Sequence, residues 1–184
     1  MTITAEMVKT LRARTGAGVM DCRRALEEAR GDLEAAAQML RTRGLAAAAR
    51  RAGREASEGV VEAYVHTGSR LGALVEVNCE TDFVARTDEF RTLARELAMQ
   101  VAATAPRYVS REEVPPQEVA AQRAAALAED AGAAEAEVER RLTQWFGEVV
   151  LLEQPYIRDA GRRVGDVITE IVARTGENVR VRRF

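Results

Sequence analysis

Hydrophobic residues change their spacing twice along the chain, and this restricts the fold more than any other feature. From Met7 to Leu40 they recur at helical intervals, from Val61 to Cys79 they alternate with polar residues, and from Phe90 to Val172 the helical interval returns. Helices followed by a hairpin and then more helices point to an α+β fold: a three-helix module, then a small antiparallel sheet packed with helices.

Capping residues refine that outline. Thr4 is placed to N-cap a first helix carrying Met7, Val8 and Leu11, which Gly16-Ala17-Gly18 interrupts. A second helix with Met20, Ala25, Leu26 and Ala29 is expected to stop at Gly31. A third, opened by Asp32 and carrying Leu33, Ala36, Met39 and Leu40, is expected to stop at Gly44. The alanine-rich stretch Leu45 to Gly59, with Arg50, Arg51 and Arg54, reads as an exposed connecting helix between two domains.

Beyond it, Val61, Ala63 and Val65 alternate with Glu62, Tyr64 and His66. Thr67-Gly68-Ser69 turns the chain, and Val75, Val77 and Cys79 alternate on the return, predicting a β-hairpin. Thr87-Asp88-Glu89 opens a helix with Phe90, Leu93, Ala94, Leu97 and Val101 that ends at Pro106. Ser110 and Glu113 fit a capping box, yet Pro115-Pro116 fit equally well a turn feeding a helix from about Pro116 to Ala131. An amphipathic helix through Val138, Leu142, Trp145, Phe146, Val149 and Leu152 ends before Pro155. A last one through Val167, Ile168, Ile171 and Val172 stops at Gly176, and Val179-Arg180-Val181-Arg182 reads as a strand joining the hairpin.

Charge and rare residues exclude several kinds of chemistry. With 27 basic and 29 acidic residues the net charge is -2, so no global field gathers nucleic acid or anionic lipid, and neither partner is expected. Lys9 is the only lysine, which nearly excludes a lysine-based phosphate cradle. Gly16-Ala17-Gly18 lacks both the third glycine and the preceding strand of a dinucleotide loop, and reads as a turn between helices. His66 is the sole histidine, and Cys22 and Cys79 lie far apart, so no metal or cofactor site and no nucleophile paired with a histidine base is expected. Both cysteines read as small buried thiols. Glu76, Glu80, Asp82, Asp88 and Glu89 cluster near the end of the hairpin, where a charged rim is the simpler reading than general acid and base work. No apolar run approaches the ~20 residues of a membrane span, and Met1-Thr2-Ile3-Thr4-Ala5-Glu6 has no secretory character, so the chain reads as cytoplasmic.

One segment stands apart. In Glu76-Val77-Asn78-Cys79-Glu80-Thr81-Asp82-Phe83-Val84-Ala85-Arg86 an alternating strand runs out into Thr-Asp and then presents a phenylalanine before a helix. On pattern alone Phe83 could plug the gap between sheet and helix. Phe90 and Leu93 already serve that purpose, and a chain with only 4% aromatic residues has few to spare for a loop.

That eleven-residue run resembles the core signature of the elongation factor Ts family, the guanine-nucleotide exchange factors of translation. Leu11-Arg12-Ala13-Arg14-Thr15-Gly16-Ala17-Gly18-Val19-Met20-Asp21-Cys22-Arg23-Arg24-Ala25-Leu26 resembles the same family's amino-terminal signature. Tyr108 to Pro115 and Leu151 to Tyr156 are similar to its later segments, so the likeness spans nearly the whole length.

The resemblance implies that residues 1–52 form a three-helix docking module like ubiquitin-associated domains. Residues 53–184 would form the core, with the Thr-Asp-Phe-Val loop and a dimerisation surface. By carry-over, Thr81, Asp82, Phe83 and Val84 would enter the G domain of elongation factor Tu near its magnesium site, and Arg12, Val19, Met20 and Arg23 would contact it from the amino-terminal module. Val19 and Arg23 depart from the commoner methionine and lysine. Longer members carry a second hairpin unit in the core, whereas here Leu97 to Ala105 leads straight to Tyr108-Val109-Ser110. The missing unit would leave sheet surface or an edge uncovered, so the short form is expected to be a homodimer in a two-plus-two complex. An enzyme built on the acidic cluster, or an adaptor in which the helical module alone binds, are the rival readings.

Overall fold

The computed structural model describes residues 2–129 and 134–184. Contacts divide them into two compact units: residues up to Gly59 with Cys79–Ala85 and Ile168–Arg180 form one, and Val60–Asn78 with Arg86–Val167 and Val181–Phe184 form the other.

In the first unit α1 (Ala5–Thr15), α2 (Val19–Glu28) and α3 (Leu33–Arg51) make a three-helix bundle. The caps are those expected: the Thr4 hydroxyl accepts from the Met7 amide, and the Asp32 carboxylate accepts from the amides of Glu34 and Ala35. Leu11, Cys22, Ala25, Leu26, Ala36 and Leu40 form the core, with Met7, Val8 and Leu33 against it. Met20 lies on the outer side of α2 and is 62% exposed. One reading needs correction. Gly44 does not stop α3, which runs on to Arg51. A Cβ at Gly44 would lie 3.1 Å from the Cβ of Ala173, so glycine there permits close helix packing and does not end the helix.

The second unit is built on a sheet of order β1-β2-β5, with β1 (Glu58–Val65) and β2 (Gly72–Cys79) joined as a hairpin and β5 (Arg180–Arg183) beside β2. Glu58 and Gly59, read as the end of the connecting helix, open the first strand instead. Val75 and Val77 are fully buried, as are Phe90, Ala94 and Leu97 of α5 (Asp88–Thr104), after the four-residue helix α4 (Asp82–Ala85). On β1 the alternation holds, but its apolar side faces outward: Val61, Val65 and the neighbouring Leu74 of β2 are 66%, 64% and 61% exposed. Glu62 and Tyr64 are the half-buried residues, Glu62 lying 3.5 Å from Arg95. Alternation fixes which residues share a face and leaves open which face the core takes.

Helices α6 (Pro116–Glu129) and α7 (Glu135–Val149) pack through Val114, Ala126, Val138, Leu142, Phe146 and Val150. The expected end of α6 near Ala131 lies outside the described residues. Helix α7 stops at Val149 because Val150 bridges to Tyr108 and the Leu151 amide donates to the Tyr108 carbonyl. A second hairpin that the sequence did not announce follows, β3 (Pro155–Tyr156) with β4 (Asp159–Arg163). The wholly buried Gln100 of α5 holds it: its amide donates to Gln154 Oε1 (3.1 Å) and the Pro155 carbonyl (3.2 Å), and its Oε1 accepts from the Ile157 amide (2.7 Å). Helix α8 (Val164–Thr175) ends at Gly176, whose φ of 75° supplies the left-handed stop.

Candidate functional site

The loop around Phe83 belongs to the first unit. The chain leaves β2 at Cys79, bends through Glu80 and Thr81, and closes one short helical turn, α4. The Thr81 carbonyl accepts from the Ala85 amide (3.3 Å) and from the Cys79 thiol (3.2 Å), and the Thr81 hydroxyl accepts from the Val84 amide (3.4 Å). Successive residues on a helix point about 100° apart, so one turn can bury some side chains and expose others. Val84 and Ala85 are each 5% exposed and anchor the turn, whereas Phe83 is 77% exposed. Thr81 and Asp82 are exposed beside it. An exposed phenylalanine leaves ~1.5–3 kcal/mol of burial free energy unrealised, available to whatever covers it.

A four-residue helix cannot hold itself, because helix nucleation is unfavourable. The restraint comes from the segment after α8. Glu177 Oε2 accepts from the amides of Glu80 (3.1 Å) and Thr81 (3.0 Å), and its Oε1 accepts from the Thr81 hydroxyl (2.6 Å). In return Glu80 Oε1 accepts from the Asn178 amide (2.6 Å), and the Asn178 side chain donates to the carbonyls of Ala52 (3.3 Å) and Arg54 (2.7 Å). Burial pushes the Cys79 thiol up to about 11, and the Glu177 charge adds to the effect. It is a proton-holding structural thiol, with none of the thiolate character a nucleophile needs.

Of the residues singled out on the amino-terminal module, Val19 and Met20 are exposed in the first turn of α2, and Arg12 in the last turn of α1. Arg23 is exposed and ion-paired with Glu27 at 2.9 Å. The α1–α2 turn depends on Gly16, whose φ is 68°. Sequence reasoning missed Glu177 and Asn178. Their only local signal was a polar pair directly after a helix-stopping glycine, because their partners lie about a hundred residues earlier in the chain.

Two carboxylates of the acidic cluster are engaged within the fold. Arg183 holds the Glu76 carboxyl below the usual range at 2.7 Å, and Glu80 is engaged by Asn178 and lies 3.6 Å from Arg54. Among the described residues no group of three or more His, Cys, Asp or Glu could hold a metal ion, and no helix is long and apolar enough to cross a membrane. A groove of about 670 Å³ in the second unit is lined by charged residues including Glu148, Glu153, Arg163 and Asp166.

This fold and this site define an α+β protein that holds an aromatic side chain out in solvent on a clamped turn. The family described as elongation factor TS matches residues 34–170. Among similar proteins, elongation factor Ts of Carboxydothermus hydrogenoformans is 57% identical over 99% of this chain and 87% of its own length. That of Caldanaerobacter subterraneus subsp. tengcongensis is 54% identical over 99% and 94%, and that of Desulforamulus reducens 54% over 99% and 87%. The chain belongs to the elongation factor Ts family.

Proposed function

We infer that the chain is the guanine-nucleotide exchange factor of translation elongation in the cytoplasm, that it acts on GDP-bound elongation factor Tu, and that it performs no covalent chemistry and needs no cofactor. The observation that carries this reading is Phe83, exposed at the tip of a turn whose other apolar residues are buried. Exchange requires that the factor bind the nucleotide-free partner more tightly than the GDP form, and by reciprocity nucleotide weakens factor binding by the same ratio.

In this reading Asp82 and Phe83 enter the G domain beside the magnesium ion, Phe83 prying apart packed elements so that the ion and then GDP are lost. Val84 anchors the turn from inside, and Thr81 fixes its start. Each thousandfold loss of nucleotide affinity requires ~4 kcal/mol of differential binding. A buried phenylalanine supplies ~1.5–3 kcal/mol, so a second contact has to contribute. Residues 1–52 provide it as a docking module like ubiquitin-associated domains, through Val19 and Met20 as apolar contacts and Arg12 and Arg23 as charged ones.

The outward apolar face of Val61, Ala63, Val65 and Leu74 supports a homodimer, and hence a two-plus-two complex with elongation factor Tu. The test is release of a fluorescent GDP analogue from elongation factor Tu, which the protein should accelerate in proportion to its concentration until saturation. Release at the intrinsic rate throughout would overturn the reading.

A further inference from the structure

We propose that Glu177 is the positioning residue of the exchange loop: its carboxylate, by gripping Glu80 and Thr81, sets where Phe83 stands before any partner arrives. The proposal rests on the exchange reading above and adds a residue that does not itself touch the partner.

Three donors converge on this one side chain, two amides and a hydroxyl, all within 3.1 Å. Hydrogen bonds to an ionised acceptor are roughly twice as strong as neutral ones. The hydroxyl it grips is the same one that accepts from the Val84 amide, so the restraint passes from Glu177 through Thr81 into α4, the turn that carries Phe83. Glu177 is itself held. Gly176 turns the chain at a φ of 75°, the Glu177 amide donates to the Thr175 hydroxyl (3.3 Å), and Asn178 ties the following residue to Ala52 and Arg54. No part of this clamp waits for a partner to form.

A wedge held in place acts at the step where magnesium and GDP leave, whereas a loose one has to be ordered at that step. Losing the clamp therefore lowers the maximal rate of release, while the amino-terminal contacts keep the half-saturating concentration nearly unchanged. Glutamine at 177 keeps an acceptor for both amides and a polar group facing the Thr81 hydroxyl, so it retains the geometry without the charge.

The experiment measures fluorescent GDP release from elongation factor Tu against concentration of wild-type protein, Glu177→Ala and Glu177→Gln. It is joined by amide hydrogen exchange of the free proteins. The expected result is a maximal rate lowered about tenfold or more in Glu177→Ala, with half-saturation shifted less than about threefold and faster exchange at Thr81 and Val84, and a rate within about threefold of wild type in Glu177→Gln. Equal maximal rates for wild type and Glu177→Ala, or a loss confined to half-saturation, would overturn the proposal. If Glu177→Ala does not fold, Thr81→Val decides: a lowered maximal rate joined to faster amide exchange at Val84 in the free protein supports the clamp, and an unchanged rate or unchanged exchange overturns it. A wild-type protein that fails to accelerate release contradicts the exchange reading itself, an outcome distinct from any difference among variants.

Discussion

Arg174 occupies the space that a side chain on Gly16 would need: a Cβ there would sit 2.5 Å from the Arg174 Nε. Gly16 follows α1 and leads into the turn that exposes Val19 and Met20. Arg174 stands three residues before Glu177, so the end of α8 touches the α1–α2 turn and the Phe83 loop alike.

Gly16→Ala should therefore destabilise the protein by ~1–2 kcal/mol, mostly through the left-handed φ of 68°, since the Arg174 side chain can bend away. At this chain length each kcal/mol lowers the melting temperature by about 2–4 °C, which calorimetry resolves. Gly16→Asn, which tolerates the left-handed region better, should lose less. An Ala variant that melts with wild type would contradict this account of the turn.

The buried Cys79 thiol gives a pH dependence. Its folded pKa of about 11 lies above the ordinary value of 9.0, so the native state holds the proton through a range in which the unfolded chain has lost it. Its contribution is complete below about pH 9 and is lost as pH rises through about 11. The urea midpoint of wild type should fall more steeply over that range than that of Cys79→Ala. Parallel curves would contradict the shifted thiol.

The exposed face of Val61, Val65 and Leu74 predicts self-association. Sedimentation should find two copies at micromolar concentration, and Val65→Glu with Leu74→Glu should leave a folded monomer, because two carboxylates cannot be buried unpaired in a dry interface. A monomeric wild-type protein at that concentration would remove the dimer from the account.

Much of this was legible in local pattern. Thr4, Asp32 and Gly176 act as the sequence indicates because capping and left-handed stops involve only neighbouring residues. What depends on distant partners was not legible. Gly44 reads as a stop until Ala173 is seen against it, and the outward face of β1 is set by what covers the other side. The β3–β4 hairpin has no apolar alternation and hangs instead from Gln100. At the site the sequence indicated that Phe83 is exceptional but left open whether it plugs the core; the buried Val84 and exposed Phe83 answer that. Glu177, whose partners lie 96 and 97 residues away, had no local signal beyond its place after a helix-stopping glycine.

The central claim is that Phe83 acts on a partner and does not hold the fold. Stopped-flow release of fluorescent GDP from elongation factor Tu by Phe83→Ala tests it most directly, with circular dichroism and thermal melting run alongside. A residue this exposed should leave stability within about 0.5 kcal/mol of wild type. Losing a wedge worth ~1.5–3 kcal/mol should slow maximal release by roughly 10- to 150-fold. Release at the wild-type rate by the folded variant would contradict the account.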